Sequence, residues 1–246
     1  MKLLVCVSKT PDTTAKISFN PEGTQFNDAD VQYIMNPYDE WYALVRAIDL
    51  AKATAGTVTL INVGPAQNDQ IIRKGLALDS TDAVRVDATP QSALYTAKQI
   101  AEYAHSQNYD IIFTGKETID FNGSEVGAMI AEFLDLPFIS YATKLTVAGT
   151  TATIDRDVEG GEETLEVQTP FVLSAAKGLA EQRIPNMMGI MKAKNKPLKV
   201  IPPVPFEDLV VIDKFTLPAP KSGVKMIDPN HMEELVRLLH EEAKVI

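Results

Sequence analysis

Residues 113 to 137, FTGKETIDFNGSEVGAMIAEFLDLP, hold the densest set of side chains suited to binding a polar ligand. An apolar run from Tyr109 to Thr114 is broken by Gly115. The stretch that follows supplies Lys116, Glu117, Thr118, Ile119, Asp120, Phe121, Asn122, Gly123, Ser124, Glu125 and Val126 before a helical pattern resumes. A strand, a polar loop and a helix in that order direct the unpaired first-turn amides of the helix at whatever occupies the loop, which suits a phosphate or a ribose. The same residue types also make ordinary turns, and Asn122 or Ser124 could equally serve as a simple N-cap. On the residues alone, both readings stand.

The elements that must position this loop follow an alternating pattern. Strand-like runs fall at 2–8, 57–63, 83–87 and 109–114, and helical periods at 38–54, 67–78, 91–107 and 124–135, which predicts an α/β, doubly wound parallel sheet. In the first helix Trp41, Leu44, Val45, Ile48 and Ala51 form one apolar stripe, with Pro37 just inside its start. Ligands of such sheets gather beyond the carboxyl ends of strands where the strand order reverses, so the tips after Val7, Val63 and Thr114 are the places to look.

After Pro137, residues 142–147, 151–157 and 163–167 alternate apolar with polar around Gly149 and Gly160-Gly161, predicting an antiparallel extension, and 168–174 reads as a further strand. Ile184, Met188 and Met191, at helical spacing, read as one buried helix face. From 196 onward prolines accumulate, predicting a domain over 1–196 and, over 197–246, an extended C-terminal arm ending in an amphipathic helix from about 229 to 245. Such a helix folds back on its own domain or docks on a partner.

A formal charge of −10 argues against nucleic acid or an anionic membrane surface as the main partner. Cys6 is the only cysteine, which excludes an internal disulfide and a Cys-x-x-Cys couple, so a redox role requires a bound cofactor. His105, His231 and His240 show no metal-ligand spacing. The opening strand leaves no room for a targeting segment, and no apolar run reaches membrane-spanning length, so a soluble, cytoplasmic protein is expected.

Several segments together resemble the β subunit of electron-transfer flavoproteins: LLVCVSKTPDT at the start, IMNPYDEWYAL at 34–44, VGPAQ at 63–67, GKETID at 115–120, RDVEGGEETLEV at 156–167 and RIPNMMGIMKAKNKP at 183–197. They cover nearly the whole chain in the family's order. The resemblance implies a doubly wound sheet of the adenine-nucleotide α-hydrolase-like type. It also implies a subunit that is an electron carrier and not itself a catalyst, paired with an α subunit that holds most of the FAD. The heterodimer would carry electrons from acyl-CoA and related dehydrogenases to a quinone oxidoreductase.

By the same resemblance a structural AMP would be held by Cys6, Asn36, Pro37, Tyr38, Asp39, Val63 and the loop from Gly115 to Val126. The segment carrying Arg183, Ile184, Met187, Met188, Met191 and Lys192 corresponds to the partner-recognition loop, with Met187 at the anchor position and Lys194 and Lys196 extending a basic run. Asp157 stands where the family has an acidic residue that holds the mobile flavin-bearing part of the α subunit; a surface carboxylate beside a turn is the alternative. Tyr38 falls where an aromatic ring approaches the flavin or packs on Pro37.

The chain departs from the family wording at Ser8, where lysine is usual, at Thr13, where some members have tyrosine, and in ETIDFNGSEVG in place of QAIDGDTAQVG. In electron-bifurcating relatives a second FAD fills the AMP site, and that alternative stays open. So do a stand-alone adenine-nucleotide sensor and a pure interaction module. Neither a Walker A lysine nor a Ser/Gly-rich loop after the first strand is present.

Overall fold

The computed structural model describes residues 1–90, 92–221 and 223–246. They form two compact units, Met1–Lys214 and Phe215–Ile246. The first is built on a nine-stranded sheet. Its strands are β1 (Lys2–Cys6), β4 (Thr57–Val63), β5 (Asp82–Val86), β6 (Ile111–Gly115), β7 (Phe138–Ala148), β8 (Thr151–Val158), β9 (Gly161–Gln168), β10 (Phe171–Ala175) and β11 (Leu198–Ile201). A separate two-stranded ribbon pairs β2 (Lys9–Pro11) with β3 (Tyr33–Met35). The helices are α1 (Asp39–Thr54), α2 (Asp69–Leu76), α3 (Ala93–His105), α4 (Val126–Leu134), α5 (Met187–Ala193) and, in the second unit, α6 (Met232–Leu238).

Across the sheet the order is β11-β5-β4-β1-β6-β10-β7-β8-β9. Pairing is parallel from β11 through β7 and antiparallel from β7 through β9. From β1 the chain steps outward to β4 and β5, then returns past β1 to lay down β6 on its other side. The order therefore reverses between β1 and β6, and these two strands are in direct register over Leu3–Val5 and Ile111–Phe113.

Side chains alternate between the two faces of the sheet, and each face has its own helices. Leu3, Val5 and Leu60 pack with Leu44 and Ile48 of α1 and with Ile72 and Leu76 of α2. Leu4, Cys6, Ile61 and Val63 pack with Ala97 and Ile100 of α3 and Ile130 of α4. This is the doubly wound arrangement expected from the alternating pattern, and the antiparallel β7–β9 extension is also present.

Four local expectations change. Pro37 precedes helix α1 instead of lying within it, because Tyr38 takes φ 62° and ψ −98°, which no helix accommodates. The helix expected over 67–78 opens as a tight turn at Ala66–Asn68 and runs as α2 only over Asp69–Leu76. The helix expected over 91–107 begins at Ala93, capped by Ser92 Oγ on the Tyr95 amide; the expected first residue, 91, lies outside the described residues. Residues 198–201, read as part of an extended arm, form an edge strand parallel to β5.

Beyond that strand the described residues form no helix or strand before α6. The chain tracks along α3, where Gln99 exchanges two hydrogen bonds with the Val204 backbone (2.9 and 2.7 Å) and Ser92 Oγ donates to Asp208 (2.7 Å). In the second unit α6 passes into a wider turn at Leu239–Ala243, and Arg237 pairs with both Glu234 and Glu241.

Phe113 is fully buried at the centre of the α1 face. Phe113→Ala is expected to lower the unfolding free energy by about 3 to 5 kcal/mol, through lost burial and the cavity left behind. Urea denaturation followed by circular dichroism measures it.

Candidate functional site

The tips of β4, β1 and β6 lie side by side, so Val63, the residues after Cys6 and Gly115 converge beyond one edge of the sheet. Two buried asparagines tie these tips together. Asn36 donates from Nδ2 to Glu117 O (3.0 Å) and accepts from the Ile119 amide (3.0 Å), while its own amide donates to Ser8 O (3.0 Å). It thereby fixes the loop after β6 to the segment after β1. Asn62 Nδ2 donates to Val7 O (2.8 Å), and Asn62 Oδ1 accepts from Asn68 (3.0 Å), joining β4 to β1. The other side-chain oxygen there, Asn68 Oδ1, is buried and has no partner among the described residues.

The loop that leaves β6 stands over this edge. Asp120 through Glu125 are exposed, and Asn122 and Ser124 take φ of 51° and 52° on either side of Gly123. Neither caps α4: its N-cap residue is Glu125, which makes no side-chain capping bond. The first-turn amides of α4 are therefore left for solvent or a ligand. An uncapped helix start, a polar loop and an orphaned amide oxygen beside Val63 fit a nucleotide lying across the strand tips.

Beside the loop, Tyr38, Asp39, Tyr42, Lys116, Ile119 and Lys177 line a cleft of about 260 Å³. Lys116 pairs with Glu117 at 2.8 Å, a contact that lowers the Glu117 carboxyl and raises the lysine. Its ammonium also stands 5.8 Å from the Tyr141 ring centroid. Tyr38 is 55 % exposed, and a bulky residue held at positive φ stores strain of roughly 1 to 3 kcal/mol.

The residue that sequence reasoning missed is Glu40. It is 6 % exposed in the first turn of α1 and receives both the Ser8 amide (2.7 Å) and the Ser8 hydroxyl (2.5 Å). A Cβ on Gly115 would come within 2.8 Å of Glu40 Cγ and 3.0 Å of its backbone nitrogen, so β6 approaches α1 only because that residue is glycine. Two signals were available: Glu40 precedes Leu44 and Ile48 on the buried stripe, and Ser8 stands where a lysine is usual.

Burial pushes the Glu40 carboxyl up to about 8; the two Ser8 contacts pull against this, while Asp120 and Asp39 add to it. At neutral pH the protonated form of this carboxyl is therefore favoured, with the Ser8 amide and hydroxyl both donating to it. Cys6, buried at the tip of β1, has its thiol pushed well above the ordinary range by burial, which disfavours the thiolate.

The sign of the pH effect follows from the raised value. Between about 4.5 and 8 the unfolded chain ionises at this position while the folded chain keeps its proton, so stability from Glu40 is full at the acid end and is lost as pH rises to about 8. The loss amounts to at most roughly 5 kcal/mol. Glu40→Gln keeps the shape without a titrating group. It is expected to flatten the pH dependence over this window and to stabilise the protein above pH 8, as read from urea midpoints taken at a series of pH values.

The remaining candidates are far along the chain from this edge. Asp157 is exposed near the end of β8, opposite Glu162 of β9. Arg183 to Lys192 form an Asn186-capped approach to α5, in which Asn186 Oδ1 accepts from the Gly189 amide at 2.8 Å. Ile184, Met188 and Met191 are not the buried face their spacing suggested: Ile184 is 88 % exposed, and Met187, Met188, Ile190 and Met191 are exposed with it. Five large apolar side chains are thus exposed to solvent within residues 184–191. Lys192 and Lys194 reach solvent, whereas Lys196 turns inward to the carbonyls of Leu76 and Ser80.

Among the described residues no cluster of histidine, cysteine or carboxylate side chains could hold a metal ion, and no helix is long and apolar enough to cross a membrane.

Comparison with known proteins agrees with this geometry. Residues 23–205 match the family described as "Electron transfer flavoprotein domain". The chain is 37% identical to the electron transfer flavoprotein subunit beta of Bacillus subtilis, with both chains covered in full. It is 35% identical to that of Syntrophomonas wolfei, over 93% of this chain and 90% of the relative. With the human subunit the identity is 32%, over 100% of this chain and 99% of the relative. A doubly wound sheet whose strand tips are tied under a polar loop, matched along its whole length by relatives of one kind, places this chain in the β-subunit family of the electron transfer flavoproteins.

Proposed function

We propose that this chain pairs with an α subunit, binds one structural AMP across the β4–β1–β6 tips, and completes the site of an FAD held mainly by that α subunit. The observation that carries the reading is the uncapped start of α4 above tips cross-linked by Asn36 and Asn62, in a chain of this family. The adenine would lie by the backbone of Cys6 and Val63. Asn36 to Asp39 would flank the ribose, with Asp39 or Asp120 accepting from its hydroxyls. The phosphate would sit at Gly123 to Val126, against the first-turn amides of α4.

Glu40 suits this arrangement because it is uncharged when protonated. A second ionised carboxylate beneath an anion would be repulsive, and the buried acid avoids that at neutral pH. The bound FAD supplies the one- and two-electron chemistry. This chain orients and covers it, with Tyr38 and the Lys116–Tyr141 pair at the rim and Asp157 holding the flavin-bearing part of the partner.

Electrons would come from acyl-CoA and related dehydrogenases that dock on the exposed apolar side chains around Met187, and would leave to a quinone oxidoreductase. Methionine suits a surface that meets several partners, since its side chain is flexible and polarizable. An AMP site occupied instead by a second FAD would make the complex electron-bifurcating.

Two measurements test the proposal. Denaturing the purified heterodimer and chromatographing the released small molecules should give AMP and FAD in equal amounts. Two FAD and no AMP would assign the bifurcating alternative, and FAD without any second nucleotide would overturn the adenylate reading. Met187→Ala should raise the KM for a reduced acyl-CoA dehydrogenase by about tenfold, the size of a modest hot spot, while flavin content stays unchanged. Parallel loss of flavin would count against a docking role.

A further inference from the structure

The exposed apolar side chains around Met187 sit on a helix of only seven residues, Met187–Ala193, too short to hold its own shape in water. Its order must come from contacts with the rest of the unit, and these are made at three points. At the leading end Trp41 Nε1 donates to Arg183 O at 2.9 Å, and Arg183 Nη2 meets Asp49 Oδ2 at 2.7 Å. In the middle Gly189 lies so near the end of α2 that a Cβ would stand 2.3 Å from Ala77 O. At the trailing end Arg73 Nη1 donates to Ala193 O (2.7 Å) and Lys196 O (2.5 Å), and Lys196 returns two bonds to the carbonyls of Leu76 and Ser80.

The two ends are not alike. The trailing end is held by partly buried cations on several backbone carbonyls, and the middle by close backbone packing. The leading end depends on one indole N–H and one half-exposed ion pair, and an exposed ion pair adds little by itself. Trp41, the chain's single tryptophan, also follows Glu40 directly on α1, so the helix that borders the nucleotide crevice is the one that holds this end.

We propose that Trp41, Arg183 and Asp49 are positioning residues for the Met187-bearing helix, fixing its leading end to α1 so that its apolar side chains meet a dehydrogenase already ordered. The inference rests on the docking role of that helix given above. A surface ordered before contact loses less conformational freedom on binding, so its benefit shows in association with the partner and not in the electron-transfer step itself.

The test uses the intact heterodimer carrying Trp41→Phe, which keeps a ring and removes the N–H, or Asp49→Asn, a change on the surface of α1. Arg183→Lys serves as the conservative comparison. Hydrogen exchange read by mass spectrometry should quicken at least severalfold over residues 184–190 in the first two variants, with β4 unchanged. The KM for medium-chain acyl-CoA dehydrogenase reduced with octanoyl-CoA should rise about fivefold at unchanged kcat and flavin content, and Arg183→Lys should restore part of the wild-type value relative to Arg183→Ala.

Wild-type exchange over 184–190 in both Trp41→Phe and Asp49→Asn would overturn the proposal. So would faster exchange with an unchanged KM while Met187→Ala still weakens docking. If Met187→Ala itself leaves the KM unchanged, the docking reading fails, whatever the exchange rates show about the order of the helix.

Discussion

Helix α1 can start where it does because Gly115 has no side chain and because Ser8 gives two donors to the buried carboxyl of Glu40. Most features of the candidate site depend on this contact. It sets the distance between β6 and α1, it closes the end of β1, and it leaves Tyr38 as the residue that absorbs the turn. Tyr38 is then held at φ 62° with its ring outward, at the edge of the cleft. With a larger residue at 115, the first turn of α1 would shift and the cross-link from Asn36 to the loop at Glu117 and Ile119 would lose its register.

The same contact decides the electrostatics of the crevice. Asp39, Glu117, Asp120 and Glu125 all lie on or beside the loop, against Lys116, which is itself paired with Glu117, and Lys177, which lines the same cleft. That is an unfavourable setting for a phosphate unless the anion sits at the far end of the loop and the innermost carboxyl is neutral. The uncapped start of α4 provides such a position, and burial keeps Glu40 protonated. A lysine at position 8 would form an ion pair with Glu40 and hold it ionised. Serine has no charge to offset the burial, so the carboxyl remains raised although both Ser8 donors pull its value down.

The central strands were legible in the sequence because each is a short apolar run ended by glycine, proline or a polar loop, and a sheet buried on both faces gives that pattern. The convergence of Val7, Val63 and Thr114 was legible from topology alone. The periodicity at Ile184, Met188 and Met191 misled, since helical spacing says which side chains share a face and not what the face meets. The contacts of Trp41 with Arg183 and of Arg73 with Ala193 were invisible for a different reason: they join positions 142 and 120 residues apart through backbone carbonyls, which carry no side-chain signature. The edge strand Leu198–Ile201 was hidden by the prolines around it, which confine a strand to an edge without forbidding one.

A short helix with four exposed apolar side chains, preceded by exposed Ile184, would be a liability in a protein that met no partner, because such a surface promotes association. Here it is held at both ends by hydrogen bonds from α1 and α2 and the segments around them, and its middle is pressed against α2 through a glycine. A flexible loop would present the same side chains but would lose conformational freedom with each encounter, and an electron carrier must meet and leave its partners repeatedly. Rigid tethering permits useful recognition by a small apolar patch whose few contacts still let go quickly. The strand-tip crevice proposed for a nucleotide and the apolar patch proposed for docking therefore share one helix, α1, with Glu40 facing inward and Trp41 reaching toward Arg183.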